Sequence, residues 1–347
     1  MAVFAGSAAL SLLAVIIGQH AGLVREDAPE WAWIAGVLLV DVAHVYATVF
    51  RVYADPEELS RAPLRYTALP VCGLLIGIAL YAAGGERLFW RALAYMAVFH
   101  FVRQQYGWVA LYRARLGERS AWGRRIDSLA IHMAAIYPLL YWHAHLPRRF
   151  WWFVNGDFIA LPVLWDPVLR IARIAYVGSL LAYTARAVLQ HRRGFTNPGK
   201  HMVVLTTAMC WYVGIVALDS DYAFTVTNVL IHGIPYLALI YAYGCDREQH
   251  PPRPGLYRLF RQGPLAFLAL LWLAAFVEEM LWDRAVWHAR PEIFGGAWHL
   301  SATALTVVVP LLALPQLVHY LLDGFVWRRR SAPFMARLLA SDAPPQS

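Results

Sequence analysis

Ten stretches of this chain are each long and apolar enough to cross a lipid bilayer, and that constrains its fold more than any motif does. A spanning helix needs about 20 mostly apolar residues. Such runs occur at 3–23, 31–53, 66–83, 88–112, 126–146, 167–189, 201–218, 222–244, 264–282 and 300–325. Inside a bilayer only helices and closed barrels satisfy every backbone N–H and C=O, and runs of this length point to helices. The expected fold is all-α: a polytopic transmembrane helical bundle of about ten spans, one domain over 1–330 with a short cytoplasmic tail at 331–347. Composition agrees, since 15% of residues are charged against about 25% in a soluble domain. The N-terminal run lacks a basic segment before it, so it reads as an uncleaved first span. Segment 147–165, PRRFWWFVNGDFIALPVLW, is too broken to span, and its aromatics suit an interfacial or re-entrant piece.

Basic residues set the orientation. Loops and tail following even-numbered spans hold 19 Lys or Arg, those following odd-numbered spans 7. Positive charge collects on the cytoplasmic side of membrane proteins. Both termini are therefore expected in the cytoplasm, with the chain in the inner (plasma) membrane. The net charge of +8 reflects this topology rather than a nucleic-acid surface. Cys72, Cys210 and Cys245 form no close pair, which argues against a disulfide framework, a zinc finger and a redox CxxC.

Ionisable residues within spans are costly and mark function by default. Five histidines lie well inside spans: His44, His100, His132, His232 and His319. Counted from the cytoplasmic span ends at 1.5 Å per residue, all five fall in one slab, roughly 9–18 Å below that surface. Each has a polar residue three or four positions away, on the same helix face: Asp41, Gln104, Ser128, Asn228 and Asp323 in turn. A metal-bound imidazole needs its second nitrogen held by such a group. The five are thus candidate ligands for a divalent transition metal. Imidazole suits Zn, Fe, Cu or Ni, and the nearby Asp41 and Asp323 favour iron with open positions for O₂ and substrate. Gln104 is read as an orienter of His100, and Tyr320 flanks His319. Arg103 is either a counter-ion or substrate clamp for the site, or a side chain snorkelling to the interface. Gly233 and Pro235 beside His232, and Pro315 beside His319, loosen the helix at two of these positions. Glu278 and Glu279 read as interfacial.

Single histidines spread over many spans near one face resemble the histidine-rich integral-membrane non-haem iron oxygenases, of which the bacterial membrane β-carotene dioxygenases are the nearest. Those enzymes carry a Pro-His-Gly element; here IHGIP around His232 is similar, with the proline following. The clustered HxxxH and HxxHH boxes of desaturases are absent. The resemblance implies an oxidoreductase acting on a hydrophobic small molecule that enters from the membrane lipids. Three other readings fit the same residues: a proton-coupled transporter, a b-type haem protein with axial histidines, and a metal-independent membrane transferase.

Overall fold

The computed structural model describes residues 1–161, 166–249 and 255–327, together with Phe334 and Arg337. Among these residues every regular element is helical. The tail expected over 331–347 otherwise lies outside them, as does the end of the expected re-entrant segment. The long helices are α1 (Ala2–His20), α2 (Glu30–Arg51), α3 (Pro63–Arg115), α4 (Ala121–Ala144), α5 (Asp166–Arg192), α6 (Pro198–Ala217), α7 (Asp221–Gln249), α8 (Pro264–Trp287) and α9 (Ala302–Val326). All but α4 are long and apolar enough to cross a membrane, eight in all. These eight helices mark the chain as a membrane protein.

Three of the ten expected spans are accounted for differently. The spans expected at 66–83 and 88–112 lie within α3, which breaks at Gly85 (φ 65, ψ −162). A left-handed φ is open to glycine at little cost, so the chain reverses there without a loop. The span expected at 126–146 is the 24-residue helix α4. Arg124, Arg125 and Asp127 near its start lower its apolar character.

The spans are apolar outward as well as inward. Leu75, Ile76, Ile171, Ile174 and Leu181 are all exposed, as befits helices whose solvent is lipid. Segment 147–161 forms no helix. The Asp157 carboxylate accepts from the backbone N–H groups of Trp152, Phe153 and Val154, and that satisfies the turn without regular structure.

The helices group into two compact units. One contains α1, the end of α3 from Phe101, α4, α5, α6 and the start of α7. Its core joins Phe4, Val109, Ala130, Ile131, Tyr183, Val203 and Val204. At one end it buries a dense ion network. Lys200 Nζ lies 2.8 Å from both Glu118 carboxylate oxygens and 3.1 Å from Asp127 Oδ2. Arg186 reaches Glu118 at 3.0 Å and Asp127 at 2.9 Å. Arg113 pairs with the same two acids, and Asn197 Nδ2 donates to Glu118. A Cβ at Gly123 would collide with the Arg186 guanidinium; the glycine lets that side chain lie flat against α4.

The other unit contains Ile34–His100, the remainder of α7, α8 and α9. The second half of α2 packs against both α8 and the end of α9. Val52 just after α2, Tyr66 of α3 and Val318, Leu322 and Val326 of α9 form a core. That packing places His44 of α2 against His319 of α9. Beyond α2, the short helix Pro56–Arg61 is capped by Asp55, whose carboxylate accepts from the N–H groups of Glu57 and Glu58. Arg247 and Tyr243 also engage Asp55. Burial raises the Asp55 carboxyl, but these partners outweigh it and hold the group below the usual range.

Candidate metal centre

The helices that carry histidines are irregular close to them. Trp33–Val42 is π-helical, and His44 follows two residues later. Thr225–Val229 is π-helical three residues before His232, and Pro235 sits three residues after it. A π segment shifts the register of the side chains that follow, and such segments concentrate at functional sites.

Four of the five expected histidines come together. His44, His100, His232 and His319 each offer a ring nitrogen, and these atoms all lie within 4.8 Å of one another. All four side chains are buried; the most accessible, His100, is 3% exposed. Four buried histidines therefore stand close enough to bind one metal ion. His44 and His319 meet edge to face with ring centroids 4.9 Å apart, and His100 and His319 do so at 4.7 Å.

His132 does not belong to this group. Its Nδ1 is 2.7 Å from the Ser128 carbonyl, and its ring lies against Tyr106. A common depth was expected for all five histidines from their places in the spans, but depth does not fix which way a helix turns a residue. The side chain of His132 is folded back on its own helix.

The partners of the other four differ in part from the expected ones. Asp41 Oδ1 lies 3.6 Å from His44 Nδ1, as the spacing on α2 suggests. Asp323 was expected to serve His319 on the same helix. Instead its Oδ2 lies 3.7 Å from Nδ1 of His100 on α3, and its Oδ1 accepts from Trp327 Nε1. Gln104 does not reach the His100 ring. Its Nε2 donates to the backbone carbonyl of His232 at 3.1 Å, in the turn that Pro235 loosens. Asn228 donates to Phe224 O and Thr227 Oγ1 rather than to His232. The His232 ring stacks on Phe101, centroids 3.5 Å apart and 9° from parallel. Tyr320 lies beside His100 at 4.9 Å. Arg103 is exposed, which fits the snorkelling alternative. Glu278, expected at an interface, is buried.

The group that sequence reasoning missed is Thr48. Its hydroxyl is 2.6 Å from His319 Nδ1 and 3.0 Å from the Tyr236 hydroxyl. With Nδ1–H donating to Thr48, the lone pair of His319 sits on Nε2. That atom is buried and has no hydrogen-bond partner. A buried polar nitrogen without a partner costs about 1–3 kcal/mol, and a metal ion is the group that three neighbouring imidazoles would share with it. Both Thr48 and Tyr236 stand four residues after a site histidine, His44 and His232, so the same spacing rule that found the carboxylates could have found them.

Replacing Thr48 by valine keeps the shape and removes the acceptor. Loss of such an orienting group lowers metal affinity by about 10–100-fold. Thr48→Val is expected to fall in that range in a chelator competition, with Tyr236→Phe changing less. An unchanged affinity would remove Thr48 from the site.

No family model, curated protein or solved structure matches this chain.

Proposed function

We propose that this protein is an integral-membrane metal-dependent oxidoreductase, oxygenase-like, that acts on a lipid-soluble substrate at the four-histidine centre. The single observation that carries the reading is the convergence of four buried imidazoles, one of them with its Nε2 unpartnered, among spans otherwise built for lipid. Neutral imidazoles suit borderline divalent ions such as iron, zinc or copper. Asp41 and Asp323 stand just outside the ring set, against His44 and His100. Their two negative charges match a divalent cation, and a charge left without such compensation in an apolar medium is costly. Iron is the metal of choice because the surroundings select for O₂ chemistry. A hydrolytic zinc centre needs a supply of water, whereas a site this deeply buried among apolar helices is reached more readily by O₂ and by molecules dissolved in the membrane.

The bound metal would supply O₂ activation. The chain's own residues orient the imidazoles through Thr48, Asp41 and Asp323 and exclude water by packing Phe101, Tyr236 and Tyr320 against the rings. The b-haem alternative fits less well. Four ligand atoms gathered around one point leave no plane for a macrocycle, which takes two axial histidines only. With ten spans and both termini cytoplasmic, the centre lies in the inner leaflet of the plasma membrane, where a hydrophobic substrate enters sideways from the lipid.

Elemental analysis and an optical spectrum of the detergent-purified protein test this. The expected result is close to one iron per chain, no Soret band, and a stoichiometry unaffected by salt washing but abolished by strong chelation at low pH, which protonates the imidazoles. Metal content well under half an equivalent after iron supplementation would sink the proposal, and a Soret band would replace it with the haem reading.

A further inference from the structure

The end of α8, the α3 hairpin and the start of α9 enclose a cavity of about 260 Å³. An apolar cavity of about 150 Å³ already holds a benzene ring, so there is room for a small organic group. Four aromatic side chains form much of the wall: Tyr81 and Trp90 from the two arms of α3, Trp287 from the end of α8, and Trp298 from the segment that follows. Trp90 is buried, whereas Trp298, Glu86, His288 and His299 are exposed and form the rim. Among the described residues Glu86 is the only carboxylate on the lining, and no lysine or arginine lies there. The wall is held in place from behind. Trp282 stacks on Trp287 with centroids 5.4 Å apart and 19° from parallel, and Trp90 lies 5.3 Å from Trp287. The last turn of α8, Asp283–Trp287, is π-helical, and His288 directly after it is left-handed at φ 52, ψ 31. Among the described residues no other non-glycine residue has a positive φ. The Asp283 carbonyl accepts from the His288 N–H, and its carboxylate accepts from the N–H groups of Ala289 and Arg290. A plain helix end takes glycine at such a position. A π turn followed by a strained left-handed histidine is the kind of irregularity that ligand sites retain.

We propose that this cavity binds an organic cation of the quaternary ammonium class, of which the choline group is the representative. An aromatic face carries the negative side of the ring quadrupole and attracts a cation within about 6 Å of the centroid. Sets of such rings are the means by which proteins recognise methylated ammonium groups, and Glu86 supplies the opposite charge at the rim. A quaternary nitrogen donates no hydrogen bond, so it suits a wall built mainly of rings. A primary ammonium brings three N–H groups that each need an acceptor. Trp298 already shows the attraction, since the Arg284 guanidinium lies 5.2 Å from its ring. Arg284 is anchored to the Gly296 carbonyl and does not line the cavity. An interfacial tryptophan belt would account for an exposed Trp298. It does not account for Trp90, which is 2% exposed, or for a lone carboxylate beside the rings. Choline occurs both as a free solute and as a lipid headgroup. The hairpin turn at Gly85 puts the cavity at the end of the α3 spans, where headgroups lie. The proposal stands apart from the metal reading, because no histidine of that centre takes part.

The test uses the full-length protein in a maltoside detergent, which carries no ammonium group. Choline and its uncharged isostere 3,3-dimethylbutan-1-ol are each titrated by calorimetry. Choline is expected to bind saturably and the isostere about tenfold more weakly, the difference being the charge alone. Trp298→Leu and Glu86→Gln change exposed side chains, so the fold should persist. Each should weaken choline binding by roughly 2- to 30-fold. Trp122→Leu, at an exposed position on α4, should bind as the wild type does. Competition by dihexanoylphosphatidylcholine assigns the site to a lipid headgroup, and lack of competition assigns it to a free solute; both support an ammonium site. Equal affinity for choline and the isostere overturns the proposal and leaves an apolar cavity only. Absence of saturable choline binding, or wild-type affinity in both Trp298→Leu and Glu86→Gln, overturns it as well.

Discussion

His319→Ala is expected to strip the protein of its metal while leaving the fold intact. His319 sits at the middle of the group: its ring meets both His44 and His100, and its Nε2 is the nitrogen left without a partner. Structural zinc sites, which have four ligands, gain about 10–16 kcal/mol on binding. Loss of one ligand from such a set costs on the order of a quarter of that, about 2.5–4 kcal/mol, which is roughly 70- to 700-fold in affinity. His100→Ala should behave alike and should also leave Asp323 without the imidazole it faces. His132→Ala is the discriminating control. It was expected at the same depth as the other histidines but hydrogen bonds to its own helix, so its metal content should match the wild type. Titration of the purified variants with Fe(II) or Co(II), read by optical spectrum and elemental analysis, checks all three. If His132→Ala loses metal as His319→Ala does, the four-histidine assignment is wrong.

That contrast also shows where the sequence could be read and where it could not. The membrane class, the helices and the four site histidines follow from apolar run length and from the expense of a polar group in lipid. Those are one-dimensional properties, visible in the order of residues. The partner of each histidine is a property of azimuth and of neighbouring helices. Asp323 lies one turn from His319, yet the α9 face it occupies is turned to α3, so it serves His100. His319 is instead held by Thr48 from α2, and a lone threonine in an apolar span carries no alarm as an aspartate does. Threonine satisfies itself on its own helix easily and is tolerated in membranes. Glu278 failed the other way. Its position near a span end suggested an interface, but the side chain is buried and Trp282 donates to it from the next turn. The hairpin inside α3 was legible as two spans, because Gly-Gly at 84–85 breaks the apolar run. The arginine bias between loops predicted orientation; it gave no hint that Arg113 and Arg186 spend their charge on two buried acids rather than on the lipid surface.

Those acids give the largest effect on stability. Lys200→Met should destabilise the protein by about 3–5 kcal/mol, the usual result of removing one partner from a buried ion pair. Lys200 is fully buried and bonds to both Glu118 and Asp127. Methionine fills much of its volume, so the loss is of charge rather than of packing. Arg113 and Arg186 remain to compensate in part, which puts the expected value toward the lower end. The pH dependence supplies a second, independent readout. Burial raises the Glu118 carboxyl, but Lys200, Asn197 and Arg186 outweigh it and hold the group at about 2, against an ordinary 4.5. A depressed carboxylate stabilises the fold in full above its unfolded value, and that stabilisation is lost as pH falls from about 4.5 towards 2. A shift of this size corresponds to about 3 kcal/mol. Thermal unfolding in detergent should therefore show a steep loss between these limits in the wild type and a shallower one in Lys200→Met, where Glu118 is no longer held so low. Glu118→Gln combined with Lys200→Met should recover part of the loss, because the double variant strands one carboxylate fewer. If Lys200→Met unfolds as the wild type does at pH 7, the network's arginines alone suffice and the lysine is dispensable.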